Sequence, residues 1–277
     1  MDLSKIYPPR PTDAHKGNYG SVLVVCGSKL YSGAATFASI GALRAGADLV
    51  TLCAPERAAN VAANHLFDLM TFPLKGDEIS TKNIPDILDC AHLRKVNSAV
   101  VGCGLGRKVT TFAAIYKLIE KLNVPMVLDA DALRAIAKSP EAISGKQAIL
   151  TPHLGELAIL LGQREISNNF EAKLTACKQA AQKYHAVVLL KGAVDIISDG
   201  TSTITSNSGC PFMTKGGTGD ILAGICGALL ARGVGLFEAA HFGAYINGRA
   251  GELAGDKFGE GMVASDMLGY IPRVIRT

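Results

Sequence analysis

The residues best suited to chemistry stand at Lys215-Gly216-Gly217-Thr218-Gly219-Asp220, directly ahead of an apolar run at 221–231. Glycines before a helix let backbone approach a ligand closely, and the free N–H groups and dipole of the helix start favour an anion. Asp220 would sit at the mouth of that anion hole, next to Gly217 and Gly219. A carboxylate beside a phosphate is costly unless it has a task, such as taking a proton from an attacking hydroxyl. The plainer alternative is a capped helix start, with Thr218 or Asp220 as the N-cap. Neither the P-loop spacing GxxxxGK[ST] nor the dinucleotide fingerprint GxGxxG occurs here.

Other segments offer partners for that hole. In Thr151-Pro152-His153-Leu154-Gly155-Glu156, Glu156 could order a metal-bound water near phosphates and His153 could touch substrate. They read equally well as a capping glutamate and a surface histidine, and two such residues hold no metal without ligand phosphates. Lys191-Gly192, followed by Ala193-Val194-Asp195, can set an ammonium by a phosphate while the hairpin lines a nucleotide; a lysine snorkelling from a strand end is the alternative. Tyr31-Ser32-Gly33-Ala34-Ala35, and His15-Lys16-Gly17-Asn18-Tyr19-Gly20 ahead of it, leave room for a large planar ligand. Gly102-Cys103-Gly104-Leu105-Gly106 is a close-approach loop, and Asp129 and Asp131 are helix-capping candidates before they are functional ones.

These segments follow short apolar runs. Strand candidates lie at 21–27, 48–54, 98–102, 125–129, 148–151, 187–191, 194–198 and 202–205. The first six are apolar nearly throughout, as parallel strands buried on both faces must be, and the last three form an antiparallel meander at a sheet edge. Helical periods fill 33–47, 110–122, 132–137, 155–161, 170–184, 217–232 and 236–254. The alternation predicts one α/β domain over residues 1–277, with a mostly parallel sheet between two helical layers.

Composition narrows the partners. The 277 residues carry 28 Lys and Arg against 24 Asp and Glu, a formal charge of +4, too small to argue for nucleic acid or an anionic membrane. With 48% hydrophobic residues the chain can bury a sizeable core. The seven cysteines show no metal-ligand spacing and read as buried free thiols of a reducing cytoplasm. No apolar leader opens the chain and no apolar run spans a bilayer, so a cytoplasmic location is expected.

The chain resembles the ribokinase-like superfamily at GGTGD. HKGxYG (15–20), YSGAA (31–35), GxGLG (102–106), LDADAL (128–133), TPHxGE (151–156), LLKG (189–192) and NSGxPxMxxGGTGD (207–220) follow in order. Together they are similar to the ADP- or ATP-dependent NAD(P)H-hydrate dehydratases. The resemblance implies a ribokinase-like three-layer sandwich that returns (6S)-hydrated NADH or NADPH to NADH or NADPH, with ADP (alternatively ATP) consumed to AMP and phosphate and Mg²⁺ required. It further implies that Ala35 (or Ala34, one residue earlier), Gly104, His153 and Asp220 contact the hydrated cofactor. Lys191, Gly192, Ala193, Val194, Asp195 and Gly219 would contact the adenine nucleotide, with Asp220 as base and Glu156 near the metal. It suggests a homotetramer, and a chain with no room for the epimerase domain of bifunctional members would pair with a separate epimerase. Hydroxyethylthiazole, pyridoxal-like or sugar kinases of the same fold are the alternative.

Overall fold

Burial on both faces sets the character of the strands. In β1 (Ser21–Val25), Val22 and Val24 enter one core while Leu23 and Val25 enter the other. An alternating backbone therefore needs apolar residues at every position. The computed structural model describes residues 2–276. Its further strands are β2 (Leu49–Pro55), β3 (Met70–Leu74), β4 (Ser98–Val101), β5 (Met126–Leu128), β6 (Ala148–Leu150), β7 (Val187–Leu190), β8 (Asp195–Ser198) and β9 (Thr203–Ser206). They form one sheet in the order β3-β2-β1-β4-β5-β6-β7-β8-β9. Neighbours from β3 through β7 run parallel, whereas β7–β8 and β8–β9 run antiparallel, the expected edge meander.

One face of the sheet is covered by α1 (Ser32–Arg44), α2 (Glu56–His65), α8 (Thr218–Ala231), α9 (Leu236–Phe258), α10 (Ala264–Met267) and α11 (Ile271–Ile275). The other is covered by α3 (Ile84–Leu93), α4 (Val109–Lys121), α5 (Asp131–Lys138), α6 (Leu154–Leu161) and α7 (Phe170–Tyr184). The apolar run 221–231 is fully buried because α8 lies between the sheet and its helical neighbours. Gly224 makes the α1–α8 approach possible, since a Cβ there would overlap the Ala38 carbonyl. Among the described residues no helix is long and apolar enough to cross a membrane.

Five helices and strands lie outside the sequence expectation: α2, β3, α3 and the short α10 and α11. Strand β3 is an edge strand with Pro73 in it and little burial, so it lacks the apolar signature. Helix α2 buries only alanines, which mark no face by hydropathy.

Beyond β3 the chain returns to the far side of β1, so β1 and β4 are neighbours that lead to opposite halves of the sheet. Ligands of open parallel sheets collect beyond the carboxyl ends at such a reversal. The loops 26–31 and 102–108 leave from there.

Candidate active site

The amino end of α8 has the anatomy of an anion hole. Gly217 is its N-cap with φ +105°, a left-handed conformation, and a Cβ there would lie 2.7 Å from the Phe37 ring. The first helical bond joins the Ile221 N–H to the Gly217 carbonyl at 3.0 Å. Helix geometry thus leaves the N–H groups of Thr218, Gly219 and Asp220 without intrahelical partners. Neither Thr218 nor Asp220 is the cap: the Thr218 hydroxyl donates backwards to the Met213 and Lys215 carbonyls, each at 3.1 Å. Burial first, and the charge of Asp129 second, raise the Asp220 carboxyl to about 6, against opposing pulls from Cys103 and Lys191.

Asp129, read from sequence as a capping candidate, belongs to this site instead. It is buried at the end of β5 and pairs at 2.8 Å with the ammonium of Lys191 at the end of β7. Burial alone would discharge Lys191, but Asp129 and Glu156 outweigh it and keep the lysine protonated. The Cys103 thiol lies 3.7 Å from the other Asp129 oxygen. Donor atoms of Cys103, Asp129 and Asp220 all fall within 4.8 Å of one another. The Cys103 thiol is driven far up by its hydrogen bond to Cys26 and by burial, and so stays neutral. Asp131 opens α5 and accepts from the Gly106 N–H at 2.9 Å, fixing that loop.

His153 and Glu156 form a capping box on α6. His153 Nδ1 accepts from the Gly155 and Glu156 N–H groups at 3.0 and 3.2 Å, and Glu156 Oε2 accepts from the His153 N–H at 3.0 Å. With Nδ1 an acceptor, the neutral ring carries its proton on Nε2, 3.5 Å from Glu156 Oε1. One Glu156 oxygen is therefore spent on the cap. The residue fits a magnesium ion only through water and with phosphates supplying most ligands.

A cavity of about 740 Å³ opens beside these groups, a size suited to a nucleotide. His153, Lys191, Gly192, Ala193, Asp195 and Gly219 line it, whereas Val194 does not. Burial lifts the Asp195 carboxyl to about 6, and its Oδ1 accepts from the Gly192 N–H at 2.9 Å, shaping the turn before β8. Asn247 on α9 was missed from sequence: it lines the cavity with a buried Oδ1 that has no protein partner. In the 102–108 loop, a Cβ on Gly104 would meet Ala34 at 3.0 Å and Tyr31 at 2.7 Å. Ala34 is half-buried, while the Ala35 side chain is wholly buried against Gly27. The side chain of Ala34 thus faces the loop that carries Gly104. His15–Gly20 lies elsewhere, ahead of β1 at the amino ends of the strands, where Asp48 accepts from the Gly17 and Tyr19 N–H groups at 2.9 and 3.0 Å.

The fold is of the ribokinase-like class, with the open amino end of α8 set beside a cavity of nucleotide size. Ribokinase from Thermotoga maritima superposes with a TM-score of 0.59 at 13% identity, covering 92% of this chain and 99% of that one. The ADP/ATP-dependent NAD(P)H-hydrate dehydratase from Bacillus subtilis, co-crystallised with ATP and Mg²⁺, superposes with a TM-score of 0.82 at 24% identity, over 99% and 95% of the two chains. At the sequence level, residues 22–273 match the NAD(P)H-hydrate dehydratase family. The ADP-dependent (S)-NAD(P)H-hydrate dehydratase of Cenarchaeum symbiosum is 36% identical over 99% of this chain and 95% of that protein. The bifunctional NAD(P)H-hydrate repair enzyme of Methanothermobacter thermautotrophicus is 40% identical over 99% of this chain but 53% of its own length. This chain belongs to the NAD(P)H-hydrate dehydratase family. It spans about half the length of the bifunctional relatives it matches.

Proposed function

We propose that this chain dehydrates (6S)-hydrated NADH and NADPH to NADH and NADPH, converting ADP to AMP and phosphate, as one catalytic domain over residues 1–277. One observation carries the reading. Asp220, its carboxyl held at about 6, stands at the open amino end of α8 between the nucleotide cavity and the Gly104 loop. The name of the Cenarchaeum relative supports ADP as donor; the Bacillus dehydratase takes ADP or ATP.

Hydroxide is a poor leaving group near neutral pH, whereas phosphate leaves readily. Asp220 takes the proton of the ring hydroxyl, whose oxygen attacks the terminal phosphorus of ADP, and AMP departs. The first-turn N–H groups of Thr218 and Gly219, together with the Lys191 ammonium, hold the charge that spreads over the transferred group. The ring carbon–oxygen bond then breaks with help from the ring nitrogen lone pair. A proton leaves the neighbouring carbon, and the double bond returns with free phosphate. The water equivalent comes from the hydrate, so the balance is hydrate plus ADP to reduced nicotinamide, AMP and phosphate. Mg²⁺, brought by the nucleotide, would neutralise phosphate charge, and Glu156 would hold it through water. His153, Gly104 and either Ala34 or Ala35 hold the hydrated cofactor, and Lys191, Gly192, Ala193 and Asp195 with Gly219 hold ADP. A cytoplasmic homotetramer served by a separate epimerase completes the reading.

Purified protein with acid-hydrated NADH, Mg²⁺ and ADP should restore reduced-nicotinamide absorbance for the S epimer, with one AMP and one phosphate per NADH. A stable phosphorylated product without absorbance recovery would instead mark a small-molecule kinase of this fold.

A further inference from the structure

A second cavity, of about 380 Å³, lies among α4, α5 and α6 and shares no residue with the nucleotide cavity. Its lining is Arg107, Phe112, Arg134, Ala137, Lys138 and Ile159: three cations around an apolar floor, with no carboxylate among them. Arg107 is held by Asp131 at 3.3 Å. Among the described residues Arg134 and Lys138 have no carboxylate within 4.0 Å; Arg134 is half-buried, and the exposed Lys138 rests its ammonium 5.0 Å from the centre of the Phe112 ring. Half-buried cations without a partner charge are costly. Here the hydration that Arg134 loses can be recovered by an anion from outside, with the exposed Lys138 beside it as a second positive charge.

The position of the cavity says which anion. Its mouth, Arg107, follows directly on Gly104-Leu105-Gly106, and Asp131 ties that loop to α5 by accepting from the Gly106 N–H at 2.9 Å while facing Arg107. Helix α5 starts two residues beyond Asp129, the partner of Lys191. At about 1.5 Å per residue, Arg134 and Lys138 stand roughly 5 and 10 Å farther along α5 from its first residue. A ligand whose reacting ring lies at Asp220 and Gly104 reaches this cavity only if it is long. We infer that the cavity seats the adenosine end of the hydrated dinucleotide, with Arg134 and Lys138 gripping the 2′-phosphate that distinguishes NADPH from NADH. A phosphomonoester carries about −1.5 to −2 charge near neutral pH and presents three acceptor oxygens, which suits a guanidinium and an ammonium set on an apolar wall that takes the purine. The inference rests on the dehydratase reading and makes the enzyme selective for hydrated NADPH.

The test uses the full chain and its Arg134→Gln, Lys138→Gln and doubly substituted forms. Wild type should prefer (6S)-hydrated NADPH over (6S)-hydrated NADH by about 10- to 100-fold in kcat/KM, the factor that charge-assisted hydrogen bonds supply. The double variant should lose that preference through KM for hydrated NADPH alone, with kcat unchanged and hydrated NADH turned over as before, which also shows that it is folded. Equal turnover of both hydrates by wild type, or equal loss on both in the variants, overturns the assignment. Calorimetry with adenosine 2′,5′-bisphosphate under saturating ADP supplies a readout without turnover. Binding should be present in wild type, competitive with NADPH, and lost in the double variant. Binding that NADPH does not displace marks a separate effector site and overturns the proposal, as does binding that survives the substitutions. If wild type converts neither hydrate, the dehydratase reading fails by itself, while the calorimetry still decides the subsite.

Discussion

Asp129 bears on the proton chemistry at Asp220 through its charge, and Asp129→Asn isolates that effect. The donor atoms of the two carboxylates fall within 4.8 Å of each other. At an effective dielectric of about 20, two unit charges at that distance repel by about 3.5 kcal/mol, enough to raise a neighbour's pKa by about 2.5 as an upper bound. Asp220 rises only from 3.8 to about 6, and burial is the larger cause. Asp129 is therefore the smaller of the two causes of the rise. In kcat/KM against pH, which reports groups of the free enzyme, wild type should gain activity as pH rises through about 6, when Asp220 becomes the carboxylate that accepts a proton. Asp129→Asn should carry that limb to lower pH, by less than the roughly two units that separate 3.8 from about 6. The substitution also strands the Lys191 ammonium, at a cost of about 3–5 kcal/mol, so thermal melting must first show folded protein at the assay temperature. A limb that stays in place, or moves to higher pH, refutes the reasoning.

Other perturbations follow from the same geometry. Asp220→Asn should stabilise the fold at pH 7, by at most about 3 kcal/mol, because a raised carboxyl pKa penalises the folded state once the group ionises; the gain should fade as pH falls from 6 towards 3.8, and melting across that range checks it. Lys191→Met should raise KM for ADP and destabilise the chain by roughly 3–5 kcal/mol, since Asp129 is left buried without its partner, as ADP titration and denaturant unfolding would show. Gly217→Ala should cost about 1–3 kcal/mol of stability and lower kcat as well, because its φ of +105° and the Phe37 ring leave no room for a methyl. Gly224→Ala should destabilise by at least about 1–3 kcal/mol through α1–α8 overpacking, with KM for ADP unmoved in whatever folded protein remains.

Much of this architecture is legible in the residues because local chemistry dictates it. Val22 through Val25 are buried on alternate faces, which only a sheet covered on both sides explains, and the run reads as such. Gly217-Thr218-Gly219-Asp220 announces a helix start open to an anion, and His153 with Glu156 announces a capping box. What stays hidden depends on approach between distant segments. Asp129 and Lys191 are 62 residues apart, and nothing local distinguishes an aspartate that caps α5 from one that pairs with a lysine two strands away. Cys103 looks like the other apolar cysteines until β4 and β5 bring it to Asp129. Asn247 sits within a long helix of small residues, and only the packing of α9 turns it to the cavity. The edge strand β3, with Pro73 and little burial, carries no pattern that separates it from a loop.

The claim that Asp220 is the base is tested most directly by single-turnover conversion of (6S)-hydrated NADH with ADP, comparing wild type with Asp220→Asn. The account predicts a loss on the order of 10²–10⁴ in the rate of AMP formation, with ADP still bound at near wild-type affinity. A variant that forms AMP and NADH within a few-fold of wild type would contradict it.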